Sequence, residues 1–168
     1  MKTKAIIYTS NTGYTARYAQ MLSEKTGLPV YDLKAAKTLS KGTEVVYLGW
    51  LMAGKVKGYA KAARRFSVQI LVGVGLGDTG AQIESVRAAN RLPVTMPLFT
   101  LQGGMDHAKL HGVYRSMIDM LTKFMAKKKD RTADEEAMLA LLQKGGDYVS
   151  EEHLTALLTF IEEQEDAR

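Results

Sequence analysis

The chain contains no cysteine, which excludes disulfides, thiolate nucleophiles and zinc–thiolate centres. No uninterrupted apolar run approaches the roughly 20 residues that a bilayer-spanning helix needs. Nor does the start read as a secretory leader, because Lys2 and Lys4 precede only a short apolar run better suited to a strand. A cytoplasmic protein is expected, with contact at a membrane surface open but not favoured. What is present suffices for one sizeable core: 168 residues, 46% of them hydrophobic, predict a single domain with room for a small appendage. The net charge of +5 conceals an asymmetry, since residues 1–131 hold 21 Lys and Arg against 8 Asp and Glu, and residues 132–168 hold 2 against 10. The plain expectation is a solvated surface, with the acidic tail packed over part of the basic body.

Five short apolar runs stand out, at 5–8, 30–33, 45–48, 68–74 and 98–101, with helical patterns between them. That alternation predicts an α/β domain whose parallel sheet is covered by helices on both faces. The first helix, 15–25, places Ala16, Ala19 and Leu22 near one face and stops at Gly27-Leu28-Pro29. Residues 58–66 and 82–92 supply two more. The strongest helical pattern is 110–125, where Leu110, Val113, Tyr114, Met117, Leu121, Phe124 and Met125 form a stripe of period near 3.6. It is expected to close the sheet as the last core helix. The charged run 127–131 then marks the exit from the core, so residues 1–131 form one domain and residues 132–168 a helical extension packed on it. Two helices are expected there, 133–142 and 150–163, the second opened by Ser150 as N-cap with Glu151 and Glu152 in its first turn.

The chemically richest segment is Ser10, Asn11, Thr12, Gly13, Tyr14 and Thr15, lying between the first apolar run and the first helix. A strand that ends in such a loop and turns into a helix aims backbone N–H groups, the positive end of the helix dipole and three hydroxyls at one spot. That spot suits a phosphate. The loop has no lysine, so it lacks the GK[ST] of triphosphate-binding loops and better fits a phosphate monoester. The same residue types also serve as ordinary N-caps in proteins that bind nothing. Three glycine-rich segments end the later runs: Gly49, Trp50, Leu51, Met52, Ala53 and Gly54; Gly75, Leu76, Gly77, Asp78, Thr79 and Gly80; and Gln102, Gly103, Gly104 and Met105. In an open parallel sheet the ligand crevice lies beyond the carboxyl ends of the strands, where strand order reverses, so these loops define one predicted site.

The S-x-T-G-x-T spacing of residues 10–15 resembles the phosphate loop of flavodoxins, and Gly75-Leu76-Gly77-Asp78 resembles the G-x-G-D segment that meets the isoalloxazine in that family. The resemblance implies a flavodoxin-like fold, with a five-stranded parallel sheet in the order 2-1-3-4-5, a bound FMN, and electron transfer through it. It implies that Ser10, Thr12 and Thr15 donate hydroxyl hydrogen bonds to the phosphate, while Asn11, Gly13 and Tyr14 contribute mainly backbone N–H groups. Trp50, followed by Leu51 and Met52, would stack on the flavin, and Ala53 and Gly54 would face its N5. Gly75, Leu76, Gly77, Asp78, Thr79 and Gly80 would wrap the pyrimidine edge. Two features depart from the family: its electron carriers are commonly acidic, whereas this body is basic, and residues 79–84 lack the aromatic that covers the outer flavin face. An open outer face suits direct reaction with a substrate or quinone.

Residues 107–161 resemble the tail of the flavodoxin-type protoporphyrinogen oxidases, which pass electrons from FMN toward a membrane quinone. This implies a second function, oxidoreduction of porphyrinogen or quinone substrates. A third, from another class, is a non-catalytic scaffold that keeps the fold and binds another phosphorylated ligand or a protein. The expected partner is a redox protein or a small-molecule quinone acceptor. Other classes lack their residues. A receiver domain needs clustered carboxylates where this chain has Thr9, Ser10 and Gly49, and no G-x-G-x-x-G follows the first run. His107 and His111 make an i, i+4 pair without a third ligand, so no metal site is expected. Positive charge without interleaved aromatics or a reader motif makes no case for nucleic acid.

Overall fold

The computed structural model describes residues 3–166. Strands β1 (Ala5–Thr9), β2 (Val30–Asp32), β3 (Glu44–Met52), β4 (Lys55–Val56), β5 (Ser67–Gly75) and β6 (Leu98–Gln102) form a six-stranded sheet, ordered β2-β1-β3-β5-β6 with β4 paired to β3 alone. Every pairing is parallel except β3 with β4. The five parallel strands fall on the five apolar runs. The short β4 is an addition that the run pattern did not announce.

Successive residues of a strand point to opposite faces, so the central strands feed two cores. Ile6, Val46, Leu48, Ile70 and Val72 pack on one side with Ala19 and Leu22 of α1 (Tyr14–Thr26). Ile7, Val45, Tyr47 and Leu71 pack on the other with Ala36 of a single 3-10 turn, Ala62 of α2 (Tyr59–Ala63) and Val86 of α3 (Ile83–Ala89). Cover on both faces is why β1, β3 and β5 read as continuous apolar runs rather than as alternating ones. Helix α1 ends where expected, at a left-handed Gly27 (φ 71°) whose N–H donates to Ser23 O at 2.8 Å.

The last core helix is not the one expected. Helix α4 (Gly112–Lys127) has no buried residue. Its place on the sheet is taken by α6 (Thr155–Asp166), whose Leu157 and Ile161, with Leu154 just before, join the cluster under α1. The cause is topological: β7 (Gly104–Met105) pairs antiparallel with β8 (Gly146–Asp147), which closes off the intervening chain as an excursion from the end of β6. Only after β8 does the chain return to the sheet. The segment expected as an extension, 132–168, therefore divides, because α5 (Ala133–Lys144) stays with α4 in the excursion while α6 enters the core.

The excursion is a built unit with its own small core of Met105, Leu110, Leu141 and Leu142, against which Ile118 and Met125 of α4 pack. Helix α5 opens with a reciprocal capping box between Thr132 and Glu135. Arg131 closes the end of α4, donating to the carbonyls of Met125, Ala126 and Lys128 and pairing with Glu136 at 2.7 Å. The acidic tail lies over α1, where Glu151 pairs with Lys25 at 2.7 Å, and not over the more basic opposite face. No helix among the described residues is long and apolar enough to cross a membrane.

Candidate functional site

The carboxyl ends of β1, β3, β5 and β6 and the flank of α4 enclose a cleft of about 800 Å³, within the range of roughly 300 to 1,000 Å³ usual for small-molecule sites. All four of the predicted loops meet in it, the last through Gly104 and Met105. Ser10, Asn11, Thr12, Tyr14 and Thr15 form one end; Trp50, Leu51, Met52, Ala53 and Gly54 one wall; and Gly75, Leu76 and Gly77 the floor. Gly13, Asp78, Thr79 and Gly80 do not line it. Thr79 Oγ1 instead accepts the Gln102 N–H at 2.9 Å and the Gly80 N–H donates to Thr100 O at 2.9 Å, so these two residues tie the fourth-run loop to β6. Gly13 takes a left-handed conformation (φ 100°), and its N–H donates to Ser10 Oγ at 3.1 Å.

Thr and Ser at this junction invite the expectation of an N-cap, yet among the described residues no side chain caps α1. Its first intrahelical bond runs from Arg17 N to Gly13 O at 3.0 Å. The amides of Tyr14, Thr15 and Ala16 precede that bond, so they are the unpaired donors that every helix start presents. Ser10 Oγ accepts from Gly13, which leaves its own O–H proton free to donate, and Thr15, only 1% exposed, lies on the cleft wall. No Lys or Arg among the described residues lines the cleft, and Asp106 is its one acid. An anion held here is held by amides, hydroxyls and the helix dipole.

Trp50 meets Tyr114 of α4 edge to face, with ring centroids 5.0 Å apart at 89°, and Lys57 Nζ lies 5.7 Å from its ring centroid. Beyond Trp50 the chain folds into the β3–β4 hairpin, whose tip, Ala53 and Gly54, has φ of 49° and 75°. Positive φ at both central residues gives the twist that a two-residue hairpin turn requires. Asn90 pins that tip to α3, because its Nδ2 donates to Gly54 O at 2.9 Å and to Val86 O at 2.7 Å while its Oδ1 accepts the Val56 N–H at 3.0 Å. Gly75 serves packing as well as ligand access: a Cβ there would stand 2.9 Å from Leu51 Cδ1.

The outer wall comes from residues assigned to a different place by sequence. Tyr114, Met117, Leu121 and Phe124 of α4, with Leu110 before it and Met138 of α5, line the cleft opposite the sheet loops. Their helical stripe was legible; its destination was not, since periodicity marks a buried face without saying what covers it. Gln82, in the stretch searched for an aromatic, also reaches the cleft and carried no signal.

Two networks hold the cleft end of α1. Burial alone would raise the Asp147 carboxyl, but its hydrogen bond to Arg17 and that from the Val149 N–H bring it below the ordinary range, which ties α1 to β8. Tyr18, fully buried, donates its one proton to Gln102 O at 2.5 Å and also meets His153 Nδ1 at 2.7 Å, so Nδ1 must be the protonated nitrogen of that ring. Burial, followed by the Asp147 and Asp106 charges, raises Tyr14, which keeps a neutral phenol at the cleft rim. Among the described residues no group of acids and histidines is placed to hold a metal. No protein-family model matches the chain, and neither do any curated protein or solved structure.

Proposed function

We propose that this is a flavodoxin-like protein of the cytoplasm that binds FMN in the cleft and transfers electrons through it. The observation that carries the proposal is the uncapped start of α1, set in a hydroxyl-bearing loop and opening into an apolar cleft that Trp50 also lines. One end offers donors to a phosphate monoester and the rest offers a slot for a planar ring. Ser10, Thr12 and Thr15, with the first-turn amides, would hold the phosphate. Trp50 and Leu51 would bound the ring, and Gly75, Leu76 and Gly77 would supply backbone polar groups at its edge. The bound flavin supplies the redox chemistry, while the protein supplies position, exclusion of water and local field.

A second reading is supported by the wall of α4. A pure carrier needs only an exposed flavin edge, whereas Tyr114, Met117, Leu121 and Phe124 add an apolar compartment beside the ring position, suited to a bulky apolar acceptor such as a quinone or porphyrinogen. The two readings share the flavin. Titration of the purified chain with FMN, followed by flavin fluorescence, tests both: binding should quench the fluorescence, and Trp50→Ala should weaken binding by about tenfold through the loss of stacked area. Binding of some other phosphorylated ligand, with none of FMN, would instead indicate the scaffold class.

A further inference from the structure

The sheet separates charge. The connections and helices that cover the α2–α3 side, residues 33–43, 55–66 and 79–97, contain ten Lys and Arg and a single acid, Glu84. The α1–α6 side carries Glu24, Glu151, Glu152, Glu162 and Glu163. Among the described residues the ion pairs are Arg17 with Asp147, Lys25 with Glu151, Lys109 with Asp106, Lys128 with Glu135 and Arg131 with Glu136. None uses a cation of the basic side. Arg65 and Arg87 there bond backbone carbonyls, and Lys57 sits by Trp50. Lys34, Lys37, Lys41, Lys55, Lys61, Arg64 and Arg91 remain exposed and uncompensated.

We infer that this face is the docking surface for a partner protein with an acidic surface. Like charges crowded on one face repel one another, and that repulsion is relieved when an anionic surface meets them; a patch of this kind also steers encounter over about a Debye length, near 10 Å at moderate salt. Continuity with the cleft favours a redox partner. Lys55 is on β4, directly beyond the cleft-lining hairpin tip, and Lys57 flanks Trp50, so an acidic surface seated on Lys34, Lys55 and Lys61 approaches the mouth where electrons would leave. A nucleic acid fits less well, because the face presents short helical turns without exposed aromatics for stacking bases. The redox character of the partner rests on the proposed flavin; the acidic docking does not.

The test uses a small acidic iron–sulfur ferredoxin as probe and the full chain, with and without FMN. Binding is measured for the wild type, for Lys55→Glu/Lys61→Glu/Arg64→Glu, and for Lys123→Glu/Lys127→Glu/Lys129→Glu, which changes the net charge equally on α4 and the turn just after it. The first variant should lose affinity by at least about tenfold and the second by no more than about twofold, with wild-type binding weakening steeply with salt. Equal losses in the two variants, no binding of the ferredoxin at low salt, or tighter binding of duplex DNA than of the ferredoxin would each overturn the inference. Thermal unfolding checks that both variants fold. Because docking is read without FMN as well as with it, failure of flavin binding and failure of docking give different results.

Discussion

Asn90 is the side chain through which the fold holds the wall of the candidate site, and its removal has a calculable effect. Asn90→Ala leaves the Val56 N–H without its partner at a residue only 4% exposed, and frees the Gly54 carbonyl at the hairpin tip. The Val86 carbonyl keeps the Asn90 backbone N–H at 3.1 Å, so it is not orphaned. Two lost partners, one of them well buried, should cost about 2 to 3 kcal/mol in urea unfolding. Asn90→Asp is the sharper control. Its carboxylate still accepts from Val56 but turns an oxygen toward the carbonyls of Gly54 and Val86, the first of which has lost its donor. The repulsion raises the carboxyl in the folded state, so the variant should be at least as unstable as Asn90→Ala at neutral pH and recover as the pH falls and the acid acquires a proton to donate. FMN affinity should fall in both variants through the loosened Ala53–Gly54 tip. A loss below about 0.5 kcal/mol for the alanine variant, or an aspartate variant as stable as the wild type at neutral pH, would refute the reasoning.

Burial pushes the Tyr47 phenol up to about 12 despite its hydrogen bond with Thr9 Oγ1, so the folded state keeps a proton that the unfolded chain releases near pH 10. Stability should therefore fall between about pH 10 and 12, and Tyr47→Phe should remove about 2 kcal/mol of that fall in unfolding titrations; an unchanged alkaline limb would contradict the assignment. Arg131→Ala should fray the end of α4 and speed amide exchange over residues 118–127 without touching β1, β3 or β5, because one Arg131 nitrogen bonds the carbonyls of Met125, Ala126 and Lys128 where the helix ends. Arg131→Lys should not restore protection, since an ammonium lacks the guanidinium fork.

The parallel strands were legible because burial on both faces makes each a short continuous apolar run, and the loop of residues 10–15 was legible because its hydroxyls stand where a helix must begin. The walls of the site were less so. The apolar stripe of α4 and that of α6 carry the same period, and only the β7–β8 pairing, two residues on each side with no distinctive composition, decides which helix reaches the sheet. Asp78, Thr79 and Gly80 were expected at the ligand from a motif, yet Thr79 and Gly80 are occupied in holding β6, a role that backbone pairing assigns and residue type does not. The charge asymmetry along the chain was plain in sequence. Its division across the sheet depended on α6 packing over α1.

Calorimetric titration of the chain with FMN and, separately, with riboflavin tests the central claim most directly, because the two ligands share the ring and differ in the phosphate. If the uncapped first turn of α1 and the hydroxyls of Ser10, Thr12 and Thr15 hold that phosphate, FMN should bind at least about a hundredfold tighter, and Thr12→Ala with Thr15→Ala should erase much of the difference. Equal affinities for the two flavins, or no binding of either, would contradict it.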